Sequence, residues 1–80
     1  MKKIPRNLSG RDLIMYLKKL GYEQSRQVGS HIRLTTENKG VHHITIPAHD
    51  PIKIGTLSNI LKDIARHFEI SREELINRLF

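Results

Sequence analysis

The chain has 80 residues, of which 14 are Lys or Arg and 8 are Asp or Glu, so its formal net charge is +6. This length has room for one small domain, which we expect to span residues 1–80. The chain contains no cysteine, which excludes disulfide scaffolds, thiolate zinc sites and cysteine nucleophiles. It has no apolar run near the ~20 residues of a membrane span and no apolar stretch after its basic start. We therefore expect a cytoplasmic protein without membrane association.

The positive charge is concentrated in one half of the chain. Residues 1–40 contain nine basic and three acidic residues, whereas residues 41–80 contain five of each. A basic half on a small domain favours a polyanionic partner. Without a long amphipathic stripe to enter lipid, nucleic acid is a better partner than a membrane. The alternative interpretation is that the charge serves solubility alone.

The first predicted element is a helix over residues 9–20. Ser9 is a suitable N-cap, and Asp12 three residues later completes a capping box. Apolar residues recur at helical spacing along this segment, at Leu13, Tyr16, Leu17 and Leu20. Gly21 is well placed to end the helix in a left-handed conformation.

Three strands are predicted next, over residues 22–28, 31–36 and 41–46. The first is mostly polar, which is typical of an edge strand, and Gly29-Ser30 turns the chain into the second. Regular alternation divides the first strand into two sides, with Tyr22, Gln24, Arg26 and Val28 on one and Glu23, Ser25 and Gln27 on the other.

The register of the second hairpin follows from its turn. A three-residue loop ending at Gly40 pairs Leu34 with Ile44 and places all strong aliphatic residues on one face. A two-residue loop would mix aliphatic and polar residues on each face, so we reject it. The opposite, open face then carries His31, Arg33, Thr35, His43 and Thr45.

Two further helices complete the predicted architecture. Residues 47–51 form a loop, and a helix from Gly55 to Phe68 covers the aliphatic face of the sheet. A short helix over residues 71–79 repeats the Ser capping pattern. The order is α-β-β-β-α with an additional short C-terminal helix and a three-stranded antiparallel sheet. This is an α+β fold of the double-stranded-RNA-binding-domain type.

Five histidines invite a test for metal binding. His42 and His43 are neighbours on a strand and point to opposite faces, and no histidine pair has the i, i+4 spacing of a helical chelate. We therefore expect no metal site and no cofactor, with His42 at the margin of the core and His67 in solvent.

His31 is the best candidate for chemistry. It follows Gly29-Ser30 at a strand start and shares the open face with Arg33. Glycine allows a substrate backbone to approach, histidine can move a proton near neutral pH, and arginine can hold a phosphate. These are the minimum parts for RNA transesterification. A simple turn histidine is the alternative interpretation.

Several segments of the sequence form a recognisable series. They are Arg26-Gln27-Val28-Gly29-Ser30-His31 after Leu20-Gly21-Tyr22, then Ile44-Thr45-Ile46-Pro47-Ala48-His49, Gly55-Thr56-Leu57 and Ile60-Leu61. In this order and spacing they resemble the HicA family of messenger-RNA interferase toxins. The resemblance implies a double-stranded-RNA-binding-like fold, ribonuclease activity on translated messages, a catalytic role for His31 and neutralisation by a HicB-type antitoxin. The chain differs from the shortest members by its additional C-terminal helix, and from many members by having Ile32 where they have a second histidine or a polar residue.

The sequence therefore predicts a metal-independent endoribonuclease toxin with a messenger-RNA substrate and no small-molecule cofactor. The residues expected to contact RNA are Lys18, Lys19, Arg26, Gly29, Ser30 and Arg33. One alternative is a non-catalytic double-stranded-RNA-binding module, although such modules need basic residues at a helix N-terminus and the second helix opens with Lys53 alone. Another is an interaction protein whose open sheet face is only a docking surface.

Overall fold

A computed structural model describes residues 3–80; Met1 and Lys2, the latter counted among the basic residues of the first half, lie outside the described residues. Helix α1 spans Gly10–Leu17 and continues as a 3₁₀ turn over Lys18–Leu20; strands β1, β2 and β3 span Glu23–Val28, His31–Thr36 and His42–Pro47; helices α2 and α3 span Ile54–Phe68 and Arg72–Leu79. The sheet is antiparallel in the order β1-β2-β3. The predicted α+β fold class is confirmed. Within the described part of the chain, no helix combines the length and apolar composition needed to cross a bilayer.

The predicted cap residues bound the helices. Ser9 Oγ accepts a hydrogen bond from the Asp12 backbone N–H, and Ser71 Oγ accepts one from the Glu74 backbone N–H, each at 3.0 Å. Gly21 ends the 3₁₀ turn with φ +82°, the left-handed conformation that glycine adopts without steric cost. Both predicted N-caps and the predicted glycine stop are confirmed.

The predicted register between β2 and β3 is confirmed. Ile32 pairs with Ile46 and Leu34 pairs with Ile44, and all four side chains are buried. They form one core with apolar residues of all three helices. Burial of this face leaves the other sheet face to solvent, with His31, Arg33, His43 and Thr45 exposed and Thr35 half-buried.

The predicted alternation of β1 is wrong, because the strand contains a β-bulge at Ser25. Before the bulge Gln24 pairs with Leu34, and after it Arg26 pairs with Arg33. An extra residue in one strand reverses the face on which every later residue lies. Gln24 and Arg26 are therefore on opposite faces, and Arg26 lies on the open face opposite Arg33.

Side-chain hydrogen bonds stabilise the bulge. The Ser25 hydroxyl donates to the Arg33 carbonyl oxygen at 3.3 Å and accepts from the Thr35 hydroxyl at 3.0 Å. Beyond the bulge the ladder is regular and ends with Val28 opposite His31. The bulge thus sets the face of the whole second half of β1.

One end of the sheet is fastened to the N-terminus of α1. The Ala48 N–H donates to the Ser30 carbonyl oxygen at 2.7 Å, and the Gly10 N–H donates to the His49 carbonyl oxygen at 2.9 Å. A Cβ atom added to Gly10 would lie 2.0 Å from the Pro47 carbonyl oxygen. Only glycine allows this close approach, which joins the β1–β2 turn, the end of β3 and the start of α1.

The opposite end of the sheet is fastened to the end of α1. The buried Thr36 hydroxyl and the Asn38 side-chain amide both donate to the Leu20 carbonyl oxygen, at 2.9 and 2.8 Å. Thr36 Oγ1 also accepts from the Asn38 backbone N–H at 3.2 Å. Helix α1 and its 3₁₀ turn therefore run the length of the sheet.

Candidate functional site

His31 lies at the start of β2, immediately after the two-residue turn Gly29-Ser30. Its side chain is exposed and makes no hydrogen bond or ion pair with any residue in the range 3–80. Gly29 has φ +58°, and the space where its Cβ would lie is open. The imidazole is therefore accessible to a bound molecule from the side of the turn.

Arg26 and Arg33 form a pair of positive charges on the same face. They are direct cross-strand partners, and such partners have Cβ atoms about 5 Å apart. No carboxylate of residues 3–80 forms a salt bridge with either guanidinium. Like charges directly opposite each other destabilise a sheet, so the pair is better suited to binding an anion than to holding the strands together.

Four of the six predicted RNA-contact residues surround His31. Gly29 and Ser30 precede it along the chain, and Arg33 follows two residues later on the same face. Arg26 joins them because of the β1 bulge. The structure thus brings together a histidine, two arginines and an open turn.

Lys18 and Lys19 lie elsewhere, in the 3₁₀ turn at the opposite end of the sheet. The strand from His31 to Thr36 alone covers roughly 17 Å. Lys19 Nζ donates to the Leu79 carbonyl oxygen at 2.9 Å and lies 5.5 Å from the centre of the Tyr16 ring. Lys19 therefore fastens α3 to α1, and any phosphate held by Lys18 is a different one from that at His31.

A groove of about 520 Å³ continues the open face across the edge strand β3. Arg33 lines its sheet side, and Asn59 and Asp63 line its α2 side. His43, which also lines it, hydrogen-bonds through Nδ1 to the Thr35 hydroxyl at 2.8 Å. The open face is thus bordered by a groove that leads toward α2.

Two other histidines form a structural cluster away from the open face. The Tyr22 hydroxyl hydrogen-bonds with His42 Nδ1 at 2.7 Å, and His42 Nε2 lies 3.5 Å from an Asp63 oxygen. His67 stacks on His42 with ring centres 4.4 Å apart and donates from Nε2 to the Asn38 carbonyl oxygen. Burial, reinforced by the Asp63 charge, raises the pKa of Tyr22 above its ordinary value, so the phenol stays protonated.

The positions of these two histidines test the sequence predictions. His42 is half-buried at the margin of the core, as predicted. The prediction that His67 is solvated is wrong: it is half-buried, because its stacking and hydrogen bond join α2 to the β2–β3 loop.

In the range 3–80, no three His, Asp or Glu side chains are grouped so that they could hold a metal ion.

His49 was not predicted as a site residue, yet the structure brings it to the same end of the sheet as His31. It is exposed and follows Ala48, whose N–H bonds to the Ser30 carbonyl. A sequence signal was available: His49 is an even number of residues from Thr45, so extended backbone beyond the predicted strand would place both on the open face.

Comparison with known proteins identifies the family of the chain. A family model described as the HicA toxin of bacterial toxin-antitoxin systems matches residues 10–65. The matched segment runs from the first residue of α1 into α2 and includes His31, His49 and both site arginines. No match was found among curated proteins or among solved structures.

Proposed function

Since the chain belongs to the HicA toxin family of bacterial toxin-antitoxin systems, we propose that it is a metal-independent endoribonuclease that cleaves messenger RNA, with His31 as a catalytic residue. The observation that carries the proposal is the exposed His31 imidazole next to the Arg26–Arg33 pair. Its chemistry is that of a proton-transfer group beside an anion-binding pair.

The proposed reaction uses a nucleophile that RNA itself supplies. The ribose 2′-hydroxyl attacks the adjacent phosphorus, the bond from phosphorus to the 5′-oxygen breaks, and the products are a 2′,3′-cyclic phosphate and a 5′-hydroxyl. His31 transfers a proton during this step. The guanidinium groups of Arg26 and Arg33 stabilise the charge that develops on the non-bridging phosphate oxygens. Imidazole and guanidinium together supply what the reaction needs without a metal ion.

The test of the proposed function is the chemistry of the products. Purified protein is expected to cleave a single-stranded messenger RNA in excess chelator and to leave cyclic-phosphate and 5′-hydroxyl ends, which end-labelling and mass spectrometry detect. Loss of cleavage on chelation, with recovery on adding a divalent ion, would contradict the proposal. Binding of RNA without any cleavage would instead indicate the non-catalytic double-stranded-RNA-binding module.

The arginine pair is expected to hold the RNA backbone. Each phosphate contact with a single strand contributes about 0.7 to the slope of log affinity against log salt. The double variant Arg26→Gln/Arg33→Gln should therefore bind RNA more weakly and with a shallower slope, by up to ~1.4. Fluorescence anisotropy at several salt concentrations measures both quantities.

A matched control removes the same amount of charge from the other side of the molecule. Lys62 and Arg66 are exposed on α2, which covers the opposite face of the sheet. The variant Lys62→Gln/Arg66→Gln is expected to keep the wild-type slope. A shallower salt dependence of RNA affinity in this control, together with a wild-type salt dependence in the Arg26→Gln/Arg33→Gln variant, would mean that RNA binds to the face covered by α2. The single variant Lys18→Gln tests the predicted contact at the far end of the sheet in the same assay.

The antitoxin partner is proposed to be of the HicB type and to cover the open face with an acidic segment. Covering His31 blocks catalysis, and acidic groups complement both the arginine pair and the net charge of +6. The Arg26→Gln/Arg33→Gln variant should then bind the antitoxin more weakly than the Lys62→Gln/Arg66→Gln variant does. Equal antitoxin affinity of the two variants would place the interface elsewhere.

A further inference from the structure

The β2–β3 register determines the position of His49 relative to His31. His31 is directly opposite Pro47 at the end of the strands. The hydrogen bond from the Ala48 N–H to the Ser30 carbonyl oxygen continues the same register one pair beyond the last strand residues. His49 is therefore diagonally adjacent to His31 across the two strands.

This register also determines the face on which His49 lies. Thr45 is exposed opposite Arg33 on the open face, whereas Ile46 is buried and Ala48 packs against the core. Alternation then places His49 on the open face with Thr45. Diagonal cross-strand neighbours are about 7–8 Å apart, a separation at which two imidazoles can contact opposite sides of one phosphate.

The backbone around His49 is anchored, while its side chain is accessible. Its carbonyl oxygen accepts the Gly10 N–H at 2.9 Å, and the preceding N–H is bonded to Ser30. The imidazole is exposed and has no hydrogen bond or ion pair with other residues in the described range. Gly29 adds no side chain to the turn beside it, and the space there is open. A rigid backbone, an unengaged ring and an open approach are the features that make His31 a candidate.

We propose that His49 is the second catalytic residue of the RNA cleavage reaction, working as the proton-transfer partner of His31; this rests on the proposed function. One imidazole accepts the proton that the 2′-hydroxyl loses as its oxygen bonds to phosphorus. The other, as imidazolium, donates a proton to the 5′-oxygen as its bond to phosphorus breaks. One proton is taken up and one is released, so the step balances without a further reactant.

The first experiment compares single-turnover cleavage by wild type and by His31→Ala, His49→Ala and Lys62→Gln variants. His49→Ala is expected to cleave RNA about a hundred- to ten-thousand-fold more slowly than wild type. Because the hydrogen bond to Gly10 uses the His49 backbone, alanine retains it, and thermal melting should stay near that of wild type. Lys62 is exposed on α2, on the other side of the sheet from both histidines, and its variant serves as the control.

The second experiment determines which histidine carries out each of the two proton transfers. An RNA with sulfur in place of the scissile 5′-oxygen has a leaving group that needs no protonation. We expect one of the two variants, His31→Ala or His49→Ala, to recover to near wild-type rate on this substrate and the other to remain slow. The recovering variant identifies the general acid.

The outcomes separate this inference from the proposed function. Wild-type cleavage with an inactive His31→Ala variant and a His49→Ala variant within threefold of wild type would overturn the role of His49 alone. Rescue of both variants by the sulfur substrate, or of neither, would overturn the division of roles. Absence of cleavage by the wild-type protein, or full activity of His31→Ala, would overturn the proposed function itself.

Discussion

Replacing His31 with alanine is expected to lower the rate of RNA cleavage by about a hundred- to ten-thousand-fold, the usual cost of removing a positioned acid-base group. Its side chain is exposed and contacts no polar partner in the described residues, so the free energy of unfolding should change by about 0.5 kcal/mol or less. RNA affinity should remain near that of wild type, because Arg26 and Arg33 still hold the phosphates. Growth inhibition should be lost together with cleavage.

The decisive measurement compares purified His31→Ala with wild type in thermal melting, RNA binding and cleavage. The Lys62→Gln variant, at an exposed position on α2 on the other side of the sheet, is the control and should retain activity. His31→Gln, which keeps a polar side chain of similar size, is a second variant that should fold and be inactive. Near wild-type cleavage by a normally melting His31→Ala protein would make His31 a simple turn histidine.

Replacing Gly10 with alanine is expected to destabilise the protein by about 1–3 kcal/mol or more, a large part of the stability of a small domain. The added methyl carbon would lie 2.0 Å from the Pro47 carbonyl oxygen, a backbone atom that has no alternative rotamer. Either α1 or the end of β3 must move. Gly55 provides the matched control, since it also lies in the first turn of a helix, but among the described residues nothing outside its own helix segment lies within 4 Å of its would-be Cβ.

Thermal melting of the two variants tests this expectation. Gly55→Ala should be neutral or stabilise the protein by about 0.4–1 kcal/mol, because alanine reduces the entropy of the unfolded chain. Each kcal/mol corresponds to about 4–8 °C for a domain of this size. Gly10→Ala should also cleave RNA more slowly below its melting temperature, because it displaces the segment that follows Pro47. Equal melting temperatures for Gly10→Ala and wild type would show that the backbone near Pro47 moves to admit the methyl group without loss of stability.

The parts of the fold that the sequence predicts correctly are those fixed by local chemistry or strong patterning. Ser9 and Ser71 cap helices because their hydroxyls satisfy backbone N–H groups that have no helical partner. Ile32 and Ile46 determine the β2–β3 register, since a shift of one residue would place aliphatic side chains in water. The open face around His31 follows from this register.

The parts that the sequence does not predict depend on weak patterns or on tertiary contacts. No residue of β1 is buried, so no hydrophobic alternation exists to reveal the bulge at Ser25 or to place Arg26 beside Arg33. The stacking of His67 and the hydrogen bond of Lys19 join elements far apart in sequence. His49 follows Pro47 in a segment that reads as a loop, although the hydrogen bond from the Ala48 N–H to the Ser30 carbonyl oxygen extends the ladder beyond β3.

The bulge in β1 also affects how the sheet meets other chains. β1 is an edge strand, and a regular edge presents a row of unpaired N–H and C=O groups on which another strand can add. The irregularity at Ser25 interrupts the even spacing of these groups and bends the strand. Five of the six side chains of β1 are polar and all six are exposed, so they give an added strand little apolar surface to bury. The same residue that aligns the two arginines thus protects this edge of the sheet from edge-to-edge aggregation.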